Sequence, residues 1–447
     1  VNDWYEAEQR AERSQQLFES QHWEEALDEI DAALEINPAN PSWLAYRGFL
    51  LDSLDRLEEA IKTYESALTI EPNDIDLLVA LGIDLTRVGR HSRALAMFER
   101  VGSLDPSCEA AYCHRILNYS ELGDHDRAEE MFYLAQQLRE DCPDCFFYMG
   151  ISLAARGAYK RAIYCWTKVL EIEPNYPGAR QYMARAHGMR DDLERARELY
   201  LTELRDDPGN TELLMEMGEL AVKAMDFPGA AARFRQVLEL EPDHVGASSA
   251  LANVLLRTGE AQAALNLLLA LADAEPTSPR LDERLGAAYL ALGQYKQACK
   301  HLESAVKRDP ENESALTFLG TCLIHRGRSE EAVDVFTRML AIDANSPYTH
   351  HNLAVCRFLS NRYEQGLEHC RRAIELKPGY SMAIHKATVA CIELGRWAEA
   401  RDMIARGLKL DPDDQTLHEF SKRLWRYRCR HVLKKLIRLL RRAWFSS

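Results

Sequence analysis

An all-α solenoid of helix–turn–helix units is the fold class this sequence predicts, and three phased observations predict it. Proline recurs every 34 residues, at Pro38, Pro72, Pro106, Pro174, Pro208, Pro242, Pro276, Pro310, Pro378 and Pro412, and only Glu140 and Ala344 hold that phase without it. Counted from 31 residues before this phase, the twentieth position of successive units reads Ala26, Ala60, Ala94, Ala128, Ala162, Ala196, Ala230, Ala264, Ala298, Ala332, Gly366 and Ala400. The eighth is Gly48, Gly82, Gly150, Gly218, Gly286 and Gly320, with Ala184, Ala252 and Ala354 elsewhere. A fixed period of this length marks a repeat architecture.

The repeats begin at 7, 41, 75, 109, 143, 177, 211, 245, 279, 313, 347 and 381, twelve units without an insertion. In the second, Pro41 to Leu54 reads as one helix and Glu58 to Thr69 as the next. Neither buries its apolar face alone, so stacking of neighbours must close the core. The small twentieth residue is expected where two helices cross closely. Tyr64, Phe98, Phe132, Trp166, Tyr200, Phe234 and Phe336, at the twenty-fourth position, are expected to fill the seam to the neighbouring unit. The proline ends each second helix and opens the next turn. Two units depart from the pattern: the first, with Arg10, Ser14 and Leu17, suits a polar cap, and the fourth has Ile116 at the eighth position and Glu140 in the proline phase. After Pro412 no Pro or Gly occurs, and Leu417, Phe420, Leu424 and Tyr427 recur at helical spacing. The expected organisation is a solenoid over 1–414, a capping helix over 415–429 and a basic amphipathic helix over 430–447.

The unit length and these positions resemble the tetratricopeptide repeat family over about nine-tenths of the 447 residues. The resemblance implies a right-handed superhelix whose first helices line a concave groove, with positions 2, 5, 6, 9 and 12 of each unit pointing inward. Here those positions include Tyr46, Phe49, Ile83, Cys113, Phe147, Tyr148, Tyr182, Phe318, Tyr348, His351, Asn352, Phe358 and Lys386. So many aromatics on one face exceed what a solvated face needs, and aromatics dominate binding hot spots. Family members that hold acidic peptide tails use Lys at position 5 and Asn at position 9. Position 5 here carries no Lys, and Asn253 is the one Asn at position 9, so a partner segment with apolar anchors is expected instead.

Catalytic signatures are missing: no G-x-x-x-x-G-K loop, G-x-S-x-G elbow or H-E-x-x-H helix occurs, and the repeats leave no length for a separate catalytic domain. Paired carboxylates are frequent, as on any solvated acidic helix. Cys142-Pro143-Asp144-Cys145 is the strongest chemical motif, and Cys108 and Cys113 lie one repeat earlier. Four thiols converging at one turn suit zinc or redox exchange, but the first pair lacks C-x-x-C spacing and the redox context is absent. Structural cysteine is the favoured reading, with no metal and no cofactor. His351 and His385 share position 5 of consecutive units, with His350 beside them, and are read as groove-lining or packing residues. Eleven scattered cysteines are an odd, sparse set that fits a reducing, cytoplasmic compartment. The chain opens on Val1 with an acidic, polar stretch unlike a signal peptide, and at least a preceding Met is expected.

The net charge of -15 hides two opposed parts. Residues 422–442 hold ten Lys or Arg and no acid, leaving 45 basic against 70 acidic residues elsewhere. The acidic body repels nucleic acid. In the tail Leu433, Leu436, Ile437, Leu440 and Trp444 fall on one helical face, and Lys434, Lys435, Arg438, Arg441 and Arg442 mostly on the other. That composition suits an interfacial helix, each cation contributing ~1 kcal/mol at an anionic surface. A membrane surface is the first reading and an acidic protein surface the second; phosphate contacts do not explain the apolar face. Taken together, the sequence predicts a non-catalytic scaffold or adaptor that assembles a protein complex through its groove, peripheral to a membrane through its tail. A regulatory or substrate-presenting subunit of an enzyme is the alternative, and a metal- or redox-responsive sensor built on Cys108, Cys113, Cys142 and Cys145 is the weaker one.

Overall fold

The computed structural model describes residues 2–274 and 280–429, and among these every regular element is helical. The chain forms two compact units, Val1–Leu220 and Ala221–Ser447. The first contains α1 (Asn2–Glu19), α2 (Trp23–Ile36), α3 (Pro41–Ser53), α4 (Leu57–Ile70), α5 (Ile75–Arg87), α6 (His91–Leu104), α7 (Glu109–Glu121), α8 (His125–Leu138), α9 (Pro143–Ala155), α10 (Tyr159–Ile172), α11 (Ala179–Met189) and α12 (Leu193–Asp206). Then follow α13 (Thr211–Lys223), α14 (Phe227–Leu240), α15 (Val245–Thr258), α16 (Ala261–Ala274), α17 (Leu281–Ala291), α18 (Tyr295–Arg308), α19 (Glu313–His325), α20 (Ser329–Ile342), α21 (Pro347–Leu359), α22 (Tyr363–Leu376), α23 (Ser381–Glu393) and α24 (Trp397–Leu410). A further helix, α25, occupies 415–429.

Each repeat is therefore one helical hairpin. Every alanine at the twentieth position is fully buried, from Ala26 through Ala400, because the two helices of a hairpin cross there. The eighth position explains the twenty-fourth. A Cβ built on Gly48 would meet the Tyr64 ring at 2.4 Å, on Gly82 the Phe98 ring at 2.6 Å, on Gly150 the Trp166 ring at 2.4 Å and on Gly320 the Phe336 ring at 2.3 Å. These aromatics thus enter a notch in the first helix of their own hairpin, where the sequence placed them at the seam to the next. Some reach that seam as well: Phe98 stacks on His114 at 5.0 Å and Trp166 lies 5.6 Å from Tyr182. In the fourth hairpin buried Ile116 fills the notch, and Phe132 packs instead on Phe146 of the fifth, at 5.2 Å. Ser14 is not the exposed polar residue of a cap. It is fully buried and its hydroxyl donates to the Ala26 carbonyl at 2.5 Å across the crossing.

Two local devices repeat with the same period. The turn within each hairpin holds one residue in the left-handed region, φ between 56° and 88°: Gln21, Asp55, Gly89, Gly123, Gly157, Asp191, Met225, Gly259, Gly293, Gly327, Asn361 and Gly395. The turn between hairpins ends on a cap for the following helix. Asn40 accepts from Trp43 N–H, Asp74 from Leu77, Asn312 from Ala315, Ser346 from Thr349 and Asp414 from Leu417. Such caps satisfy amide groups that a helix start leaves without partners. At the far end Leu417 of α25 is buried against Gly407, and Phe420, Leu424 and Tyr427 pack on the core formed by α22 to α24. The basic stretch 430–447 lies outside the described residues.

Gly150→Ala is expected to lower stability by ~1–3 kcal/mol, since the new methyl collides with the fully buried Trp166. Gly102→Ala should do the reverse by ~0.5–1 kcal/mol, because its Cβ meets only the Arg115 guanidinium at 3.8 Å and helix entropy improves. Thermal and urea unfolding of the two variants, read side by side, check both signs. Ala230→Leu should overpack the crossing of α14 by a similar ~1–3 kcal/mol, with hydrogen exchange rising mainly in adjacent hairpins.

Candidate protein-binding surface

The first helices carry the residues expected to meet a partner, and the structure gathers them into separate groups. In the Val1–Leu220 unit, Tyr46 and Phe49 join Phe18 in an aromatic cluster: Phe18 lies 5.2 Å from Phe49 and 6.5 Å from Tyr46. Trp23, 41% exposed, completes it, and Phe49 is 43% exposed. Neither Phe18 nor Trp23 was singled out from the sequence, although Phe18 holds the inward twelfth position of the first unit; Trp23 follows the turn and is at no inward position. Ile83 is half-buried against the same core.

A second group is longer. Phe98, His114, Tyr148, Phe147 and Tyr182 form a continuous series of ring contacts, 5.0–5.7 Å apart, that ends on Trp166. Tyr176, which the sequence did not flag, lies tilted 4.9 Å from Phe147 and its hydroxyl donates to Asp144. Arg185 lies 5.2 Å over the Tyr182 ring and is itself paired with Glu212 at 2.8 Å and with Glu216. Phe147, Tyr148 and Tyr182 are half-buried.

In the Ala221–Ser447 unit, α15, α17 and α19 enclose a cleft of about 440 Å³ lined by Asn253, Glu283, Arg284, Ser314 and Phe318 among others. It brings together the one position-9 asparagine and the predicted Phe318. Arg284 bonds the Ser249 hydroxyl, and burial pulls its guanidinium below the usual arginine range. Toward the end of the chain Tyr348, 54% exposed, lies 5.3 Å from Tyr380, with Lys377 Nζ donating to its hydroxyl at 2.7 Å. Asn352 is half-buried and Lys386 exposed.

Three expectations are corrected here. Cys113 is only 2% exposed and turns toward Cys142 and Cys145, so it is not a groove contact. Phe358 fills the crossing at Gly366, where other hairpins have alanine, its Cε1 lying 2.2 Å from where a Cβ would be. His351 is 6% exposed, beneath Tyr380 at 5.3 Å. The histidines do not cluster: His350 faces His369 at 3.2 Å, His385 pairs with Asp414 at 2.5 Å, and His351 Nδ1 is buried without a partner among the described residues. Cys108 also leaves the group assigned to it, packing near Leu78 and Val101 at the start of α7, and Glu109 takes its place beside the other three cysteines. The tail residues Leu433 to Trp444 lie outside the described residues.

Sequence models of the tetratricopeptide repeat match residues 12–75, 221–285, 284–347 and 357–424, together more than half of the chain. The chain belongs to this family. It is 22% identical over 162 residues to BBSome complex member BBS4 of Bos taurus, covering 36% of this chain and 31% of that one. It is 20% identical over 215 residues to the peroxisomal targeting signal receptor of Kluyveromyces lactis, covering 46% and 37%. A shorter match, 32% over 88 residues, reaches the STIP1 homolog of Dictyostelium discoideum, covering 20% and 16%. The chain thus spans well under half the length of these curated relatives. Among solved structures it is similar to the APC/C hetero-tetramer Cut9–Hcn1 (14% identity, 92% of this chain and 95% of that chain, TM-score 0.46). It is also similar to yeast Tom70 (15% identity, 92% and 99%, TM-score 0.40).

Asp52 and Asp55 of the second hairpin meet Arg87 of the third, with Arg87–Asp55 at 2.9 Å. Asp84 lies beneath them, 1% exposed, its Oδ2 without a partner among the described residues. Burial, and then the Asp52 carboxylate, push the Asp84 carboxyl up to about 7. A carboxyl raised in the folded state lends stability that is fully present below its unfolded pKa of ~3.9 and is lost as pH rises through about 7. Asp84→Asn is therefore expected to gain on wild type as pH rises from about 4 to about 7, and to melt above it at about pH 8. Melting curves taken across that range check the sign.

Proposed function

We propose that this chain is a non-catalytic adaptor that assembles a protein complex by holding an extended or helical partner segment on its first helices. The observation that carries the reading is the aromatic series from His114 through Tyr148 and Phe147 to Tyr182, half-buried and flanked by Arg185. Rings held by their neighbours lose little entropy on binding and present apolar area beside a polar handle. Position 5 offers no lysine row to an acidic terminus, so apolar anchors on the partner supply most of the contact. The basic stretch 430–447 is a second, independent element in this proposal and places the scaffold at the anionic face of a membrane in the cytoplasm.

A photo-crosslinking residue at position 182 tests the first part, combined with affinity purification of the wild type and of Phe147→Ser with Tyr148→Ser. The crosslinked partner should be lost at least ~10-fold in the double variant, as expected when central aromatic anchors are truncated, with the helical circular dichroism retained. An unchanged partner set would move the docking surface elsewhere. Deleting 430–447 should leave the fold intact and abolish sedimentation with phosphatidylserine vesicles. Leu436→Glu with Leu440→Glu should act likewise, and added salt should weaken the full-length interaction. Sedimentation that survives the deletion would remove the membrane role of the tail.

A further inference from the structure

Two neighbouring hairpins bring four ligand-type side chains to one point. The sulfurs of Cys113, Cys142 and Cys145 and a carboxylate oxygen of Glu109 all lie within 4.8 Å of one another. Cys113 Sγ is 3.5 Å from Cys142 Sγ and 3.0 Å from Cys145 Sγ. The three thiols are buried, with exposures of 2%, 1% and 0%, whereas Glu109 stands half-buried at the edge. We propose that this is a zinc site, with Cys113, Cys142, Cys145 and Glu109 as its four ligands, stapling α7 to the start of α9.

The donor set selects the ion. Thiolates favour soft or borderline cations over calcium and magnesium, and four donors from a largely buried pocket suit the closed tetrahedral coordination of zinc. At Zn–S bonds of about 2.3 Å the sulfurs of a tetrahedron stand ~3.8 Å apart, so the thiols need only move outward by under about an ångström. Cys142 caps α9, and Cys145 N–H donates to its sulfur at 3.1 Å. A thiolate at a helix start is favoured by that amide and by the helix dipole. Anionic donors gathered at one point repel one another, and a divalent cation removes the conflict. On binding, each ligand still carrying a proton gives it up to water. Arg139 donates to Glu109 Oε2 at 3.1 Å from the solvent side, orienting the carboxylate and offsetting the excess negative charge of the set. The exposed edge at Glu109 is the path of entry.

The packing of these helices is an independent observation. Elsewhere the first helices of successive hairpins touch only lightly, but α7 and α9 pack as closely as a second helix packs on the following first helix in other hairpins, and α8 contacts α9 less than other such neighbours do. The same junction holds Ile116 in place of glycine and Glu140 in place of proline. A cross-link between first helices explains why this pair is drawn together.

The test uses the full chain, purified with reductant and without chelator. Elemental analysis should find one zinc per chain, and cobalt(II) exchanged into it should show thiolate charge-transfer absorption with the visible bands of a tetrahedral ion. Cys142→Ser with Cys145→Ser should lose the metal, while Cys165→Ser, buried nearby but outside the set, should keep it. Arg139→Ala should keep full stoichiometry yet weaken metal affinity ~10-fold or more in chelator competition. Should the double variant fold poorly, chelator treatment of the wild type gives the same answer: hydrogen exchange should rise in α7 and α9 before other helices. A wild-type chain that takes up neither zinc nor cobalt would overturn the assignment. So would metal retained by the double variant, or a Cys142–Cys145 disulfide found in the reduced preparation.

Discussion

The close crossing of two helices over a small side chain is the constraint on which the rest of this structure depends. Ala at the twentieth position has no exposed surface in any hairpin because the partner backbone occupies the space a larger residue would need. That approach brings the eighth position near enough for a ring on the second helix to enter the first, as Trp166 does over Gly150. The ring fixes how far the hairpin closes, and closure fixes which side chains of the first helix face outward. The aromatic series on α7, α9 and α11 is thus positioned by packing beneath it, and Trp166 belongs to both layers, against Gly150 on one side and Tyr182 on the other.

Where the usual small residue is replaced, the crossing is completed otherwise. Ser14 bridges the crossing with a hydrogen bond to Ala26, and Gly366 is filled from the facing helix by Phe358. Ile116 blocks the notch and displaces Phe132 onto Phe146. Each substitution leaves the hairpin formed and changes what it offers its neighbours, which is how an array of one architecture acquires distinct surfaces.

The period, the small positions and the helix limits were legible because backbone crossings allow few residue types there; α3 ends at Ser53 and α4 starts at Leu57, within a residue of the sequence reading. The caps at Asn40, Asp74 and Asn312 and the left-handed turn residues also recur with the period. The second was harder to see, since Gln21, Asp55, Asp191, Met225 and Asn361 hold the conformation without glycine. Side-chain direction was less legible. Inward positions name a face, but a turn of a few degrees decides whether Cys113 meets solvent or sulfur, and it met Cys145. The exchange of Cys108 for Glu109 has the same origin: adjacent residues at a helix start point apart, and equivalence between repeats does not say which one faces inward.

The unusual packing of α7 on α9 bears on how the array comes apart. In a solenoid, cooperativity is passed from neighbour to neighbour, and fraying proceeds until it meets a link stronger than the average. A first helix bound to the next first helix as well as to its own partner is such a link. Opening that starts at α1 would therefore halt at the fourth hairpin, leaving the aromatic platform on α9 and α11 folded while the preceding hairpins exchange freely with solvent. The binding face would then sit on a foldon whose lifetime is decoupled from that of the chain's beginning.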